Sequence, residues 1–127
     1  MTHILDGIPY ARFLGVSVER NNGTLECVLP FRDEIIGNPI LPAVHGGVIG
    51  AFLELTAILR LIDESGTDRV PKPINFAIDY LRSAGPMATR ARADLFKFGR
   101  RVAVVHVVAW QDDPARPVAS GNGKFLV

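Results

Sequence analysis

The chain has 127 residues, 48% of them hydrophobic, with 14 Lys and Arg against 13 Asp and Glu. That length makes one ordinary domain over residues 1–127, able to bury a proper core, and the net charge of +1 excludes the basic footprint of a nucleic-acid binder. One cysteine, Cys27, rules out an internal disulfide framework and argues against a thiolate zinc site. No metal and no cofactor are expected.

Residues 4–10 read as a short helix or turn closed by Pro9. The residues before it, Met1-Thr2-His3, lack the basic region and long apolar run of a signal peptide, which places the protein in the cytoplasm by default. Strands at 13–20 and 24–29 flank Asn21-Asn22-Gly23, a hairpin signal because asparagine and glycine accept positive φ. Cys27 lies between Leu25 and Leu29 on the apolar face and reads as a small core side chain. Residues 33–44, with Gly37, Pro39 and Pro42, form a loop.

A long helix then starts after His45-Gly46-Gly47 and ends near Asp63, with Gly66 as its stop. The pair of glycines lets the backbone bend and leaves bare N–H groups at a helix start, where the dipole favours an anion. From Val48 to Leu59 the helix is apolar all round apart from Glu54 and Thr56, the pattern of a buried helix rather than a surface one, and it is too short and interrupted for a membrane span. Glu54 has Gly50 and Ile58 four residues away and Ala51 and Ala57 three away, so no cation on its own helix can neutralise it. Burying an unpaired carboxylate costs on the order of several kcal/mol, which points to a task for it.

Beyond the helix, Pro71 and Pro73 keep the next strand, around 74–80, out of a central position. Residues 90–95 alternate, with small side chains inward that leave room for a bulky neighbour. Gly99 turns the chain into 102–110, nearly continuous apolar and so buried on both sides or at an interface, with His106 as a hydrogen-bonded core or interface residue. A last strand covers 118–127. One helix and five or six mostly antiparallel strands make an α+β fold, a sheet wrapped round a helix.

Over nearly its whole length, in the order of its elements, the chain resembles the hotdog-fold acyl-CoA thioesterases of the phenylacetyl-CoA thioesterase (PaaI-like) group. The resemblance rests on His45-Gly46-Gly47 with an acid nine positions after the histidine, on Tyr80-Leu81-Arg82-Ser83-Ala84, and on Gly99-Arg100. It implies that Gly46 offers its N–H to the thioester carbonyl and that Glu54 acts as base on water or as nucleophile. Thioester hydrolysis passes through an oxyanion, which a pre-aimed N–H stabilises, and a carboxylate in an apolar pocket is suited to taking a proton from water. Eight residues at 1.5 Å put Glu54 roughly 12 Å along the helix from Gly46, too far for both to reach one carbonyl. The site is therefore expected between two protomers related by a two-fold axis, in a homodimer or a dimer of dimers (a homotetramer).

The resemblance also assigns Asn38 to holding the water or thioester and His45 to bracing the oxyanion turn or touching the carbonyl, with Gly47 beside the substrate. Arg82, Arg100 and Arg101 have the guanidinium forks that suit coenzyme A phosphates. Some relatives carry a serine or threonine one turn after the acid; here that position is Ile58, and Thr56 is the available substitute. Plainer roles stand beside these: an ion pair across the dimer for Glu54, a cap for His45, a turn for Asn38, solvated charge for Arg100 and Arg101. Rival functions are a hydratase, a non-catalytic acyl-CoA-binding module and a purely structural oligomer. The close acid–histidine pair that hydratase chemistry needs is limited to His3 and Asp6.

Overall fold

A computed structural model describes residues 1–127, the side chain of Thr2 excepted. Pro9 opens a helix instead of closing one: α1 (Thr2–Asp6) ends at Gly7, and α2 (Pro9–Leu14) begins at the proline. A proline fits the first helical position because that N–H has no partner inside the helix and its φ is already helical. Phe13 is consequently helical, and β1 (Ser17–Asn21) starts later than the sequence pattern suggests. Asn22 and Gly23 adopt φ of 54° and 80°, the turn predicted for them, and β2 (Thr24–Leu29) returns antiparallel to β1.

The segment read as loop is more ordered than its prolines imply. It holds a 3-10 turn at Asp33–Ile35 and a two-stranded ribbon of β3 (Ile36–Asn38) and β4 (Ala43–Val44). Then comes α3 (Gly46–Ser65), 20 residues long, stopped by Gly66 in the left-handed region at φ 70°. β5 (Lys72–Tyr80), β6 (Thr89–Phe98), β7 (Val102–Trp110) and β8 (Ala119–Leu126) complete the chain.

The six long strands form one antiparallel sheet in the order β1-β2-β6-β7-β8-β5, and α3 lies across β6, β7 and β8. Small inward residues, Ala91 and Ala93 on β6 and Ala103 and Ala109 on β7, make room for the helix, whose Phe52, Leu53, Ala57 and Leu59 are fully buried. Each leucine- or phenylalanine-sized side chain removed from water in this way contributes about 1.5–3 kcal/mol. Gly121 and Gly123 on β8 serve the same purpose for Phe76: a Cβ at either would stand 2.6 or 2.5 Å from that ring. In the protomer β7 is buried on one face only; Val102, Val104, His106 and Val108 on the other are half-exposed.

β5 ends the sheet as an edge strand, as Pro71 before it and Pro73 within it predict, and its register shifts between Pro73 and Asn75. No helix is long and apolar enough to cross a membrane.

Candidate active site

His45 caps α3 and ties it to the loop before it. Its N–H donates to the Ile35 carbonyl at 2.8 Å, and the neighbouring Val44 N–H donates to the Ala84 carbonyl at 2.9 Å. The chain crosses itself so closely here that a Cβ on Gly37 would lie 2.9 Å from the His45 Cα. The Gly47 N–H donates to His45 Nδ1 at 2.9 Å, which puts the ring's proton on Nε2. The N–H groups of Val48 and Ile49 both donate to the His45 carbonyl, at 3.0 and 3.1 Å. Among the described residues, that leaves the Gly46 N–H without an acceptor.

A Cβ on Gly47 would stand 3.0 Å from the histidine ring that caps it, so a larger residue there would have to push the ring aside. Gly46 is fixed from the other side by Tyr80, whose hydroxyl donates to the Gly46 carbonyl at 2.7 Å. Sequence reasoning singled out Tyr80 as part of a motif but gave it no role. A hydrogen bond joining positions 34 apart has no periodic signature. Gly46, Ile49, Tyr80, Leu81 and Arg82 line a cleft of about 400 Å³.

Glu54 is in a different cleft, of about 170 Å³, with Tyr10, Ala11, Ala51, Leu55 and Ile58 among its walls. The surroundings are apolar, as expected, but α3 is not buried all round: Gly47, Ala51 and Glu54 form a stripe left partly open in the protomer. Among the described residues, the Glu54 carboxylate has neither an ion-pair nor a hydrogen-bond partner. The two groups thus occupy separate clefts, in keeping with the roughly 12 Å between them along the helix.

The other residues divide. Arg82 lies in the Gly46 cleft, with one guanidinium N–H donating to the Pro117 carbonyl at 2.8 Å and the rest of its fork free of any carboxylate among the described residues. Arg100 lines another cleft, with Leu61, Ser65, Thr67, Arg69 and Phe98 at the far end of α3. The Arg101 carbonyl accepts from the Val127 N–H, and its side chain is exposed. Asn38 is exposed and makes a turn, its side-chain oxygen accepting from the Ile40 N–H at 3.0 Å. Thr56 does not replace the hydroxyl absent at Ile58: it is fully buried and donates to the Phe52 carbonyl at 2.8 Å, on the sheet side of the helix. The hydroxyl that shares a cleft with Glu54 belongs to Tyr10. His106 Nδ1–H donates to the Asn122 side-chain oxygen at 2.8 Å and the ring stacks on Phe96, on the outer face of the sheet away from α3.

Comparison with known proteins decides the family. The family model of the acyl-CoA thioesterase N-terminal domain matches residues 37–126, from the loop before the helix to the end of β8. The chain belongs to this thioesterase family. It is a thioester hydrolase with the hotdog fold. The medium/long-chain acyl-CoA thioesterase YigI of Salmonella typhimurium is 27% identical over 135 residues, spanning 94% of this thioesterase and 86% of YigI. A protein of Chromobacterium violaceum is 38% identical, with a TM-score of 0.78 over 98% of this chain and 86% of its own. The phenylacetic acid degradation-related protein of Ralstonia eutropha is 29% identical, with a TM-score of 0.79 over 99% and 98% of the two chains.

Proposed function

We propose that this thioesterase hydrolyses acyl-CoA to the free acid and coenzyme A at a site shared by two protomers, with the Gly46 N–H of one and the Glu54 carboxylate of the other. The observation that carries the reading is the Gly46 N–H without an acceptor at the start of α3, together with an unpaired carboxylate on the same helix. Water attacks the thioester carbon and gives its proton to Glu54. The carbonyl oxygen becomes an oxyanion that accepts from the Gly46 N–H at the positive end of the helix. Collapse of the tetrahedral intermediate breaks the C–S bond, and the proton returns to the coenzyme A thiolate as it leaves. His45 holds the turn through its Nδ1, and Tyr80 anchors the Gly46 carbonyl so that the adjacent N–H keeps its direction.

Pairing of two β5 edges brings the halves together. β5 has an unsatisfied ladder on its outer side and exposes Ile74, Tyr80 and Leu81 near it, the features of an edge that another strand covers. Antiparallel pairing sets the Lys72 end of one β5 beside the Tyr80 end of the other. Arg100 of one protomer then flanks the Gly46 and Arg82 cleft of the second, a distribution of guanidinium groups suited to the phosphates of coenzyme A. Two such dimers give the tetramer.

The test is thiol release from acetyl-, butyryl-, hexanoyl-, decanoyl- and phenylacetyl-CoA by the unmodified protein and by Glu54→Gln. The substitution is nearly isosteric and is expected to lower kcat by about 10²–10⁴-fold, the usual contribution of a positioned base. Equal rates in the two proteins would remove Glu54 from the chemistry.

A further inference from the structure

We propose that the cleft between α2 and the open stripe of α3 is the acyl subsite, that it takes about six carbons of the acyl group, and that Tyr10 and Ala51 set this limit. The inference rests on Glu54 acting at the thioester carbon and adds to it the class of acyl group that fits beyond that carbon.

Ala51 and Ile58 stand one turn either side of Glu54 on the same face of α3, and Leu55 lies next to them. Across the gap stand Ile8, which caps α2, and Tyr10, Ala11 and Leu14 of α2 itself. Glu54 is the one charged group among these eight residues and the Tyr10 phenol the one other polar side chain. A carbonyl carbon held at Glu54 therefore directs its tail among apolar side chains, whichever way it turns into the cleft. Leu14 is fully buried and Ile58 is 8% exposed, which marks the closed end; Tyr10, 47% exposed, stands at the mouth. Tyr10 is not a loose lid. Its ring stacks on Phe13 with centroids 5.9 Å apart, and the Arg32 guanidinium covers Phe13 at 5.2 Å from its centroid.

Size gives the limit. The cleft holds about 170 Å³, and an apolar cavity of about 150 Å³ accepts one benzene molecule, six carbons. A ring or a chain of that size fills it. The tail of a long-chain substrate reaches Tyr10 at the mouth, beyond which added methylenes no longer gain from burial in this cleft. This is a shorter preference than the medium and long chains named for the Salmonella relative.

The experiment is kcat/KM against chain length, from acetyl- to palmitoyl-CoA, for the unmodified protein, Tyr10→Ala, Ala51→Leu and Glu54→Gln. In the unmodified protein each methylene should raise kcat/KM about fourfold until the cleft is full near six carbons, and then the rise should stop. Tyr10→Ala opens the mouth and should move the break to longer chains. Ala51→Leu fills the space beside Glu54 and should move it to shorter ones. A rise that continues to sixteen carbons, or a break that stays in place in both variants, overturns the subsite. If rates survive in Glu54→Gln, the reading of the chemistry fails instead, and the two failures are told apart by that control. Tyr10 is half-exposed on a short surface helix, so its variant carries the test even if Ala51→Leu does not fold.

Discussion

Gly46 combines an N–H that has no acceptor among the described residues with a backbone that forms the first turn of α3, and the proposed oxyanion role belongs to the N–H alone. Proline distinguishes them. It is accepted at the first helical position, and His45, at φ −58° and ψ 134°, already has the extended backbone that precedes proline. A Cβ at Gly46 meets the Tyr80 ring at 3.5 Å, ordinary contact. Gly46→Pro should therefore leave the thermal midpoint nearly unchanged while lowering kcat by about 10²–10³-fold, the cost of one lost oxyanion donor. A parallel fall in stability would show that the glycine is there for folding. Cys27 illustrates the opposite case, a reactive group type kept inert. Burial pushes its thiol up to about 11, so at pH 8 the thiolate is scarce. Alkylation of the native protein by iodoacetamide at pH 8 should be far slower than in denaturant, and activity should not depend on it. The unpaired N–H at the start of α3 and the burial of Cys27 were legible in the sequence, the first from two glycines between a histidine and an apolar helix, the second from the leucines on either side. The Tyr80 hydrogen bond to Gly46 and the place of Tyr10 beside Glu54 were not, because each depends on a neighbour more than 30 positions away, brought close by the fold.

Between elements, the clearest charged tie is from β1 to the end of α3, where the Arg20 guanidinium donates to both carboxylate oxygens of Asp63. The hydrogen bond from Arg20 holds the Asp63 carboxyl below its ordinary value of 3.8. A depressed folded-state value means that the stabilisation is fully present above the unfolded value and is lost as pH falls through the folded one. The melting temperature of the unmodified protein should accordingly fall below about pH 4 more steeply than that of Asp63→Asn, measured by calorimetry from pH 7 to pH 2. Parallel curves would deny the pair any role in acid stability. The elements themselves were read with uneven success. The β1–β2 hairpin followed from Asn22-Gly23, and the end of α3 from Gly66, because positive φ restricts which residues can stand there. α2 was missed because proline is a poor interior helix residue and a good first one, and the letter alone does not say which. The β3–β4 ribbon was missed because strands of three and two residues are too short for alternation to appear.

For the whole molecule, the two halves of the site define its assembly. On the proposed mechanism, a helix that starts at Gly46 and carries Glu54 on its third turn cannot close a site on itself, and a second copy paired along the exposed β5 edge would complete it. Mixed protomers test this directly. Gly46→Pro lacks the donor and keeps the base; Glu54→Gln lacks the base and keeps the donor. In a dimer of one of each, one site receives both defects and the other receives neither. With random pairing of equal amounts, half of the dimers are mixed and half of their sites are intact, so about a quarter of the unmodified activity should return. The two variants are to be co-expressed with different tags, the mixed species isolated by tandem affinity purification, and its thiol release compared with that of each variant alone; the purified mixed dimer should reach about half of the unmodified rate. A site contained in one protomer predicts no recovery, because every copy then carries one lesion.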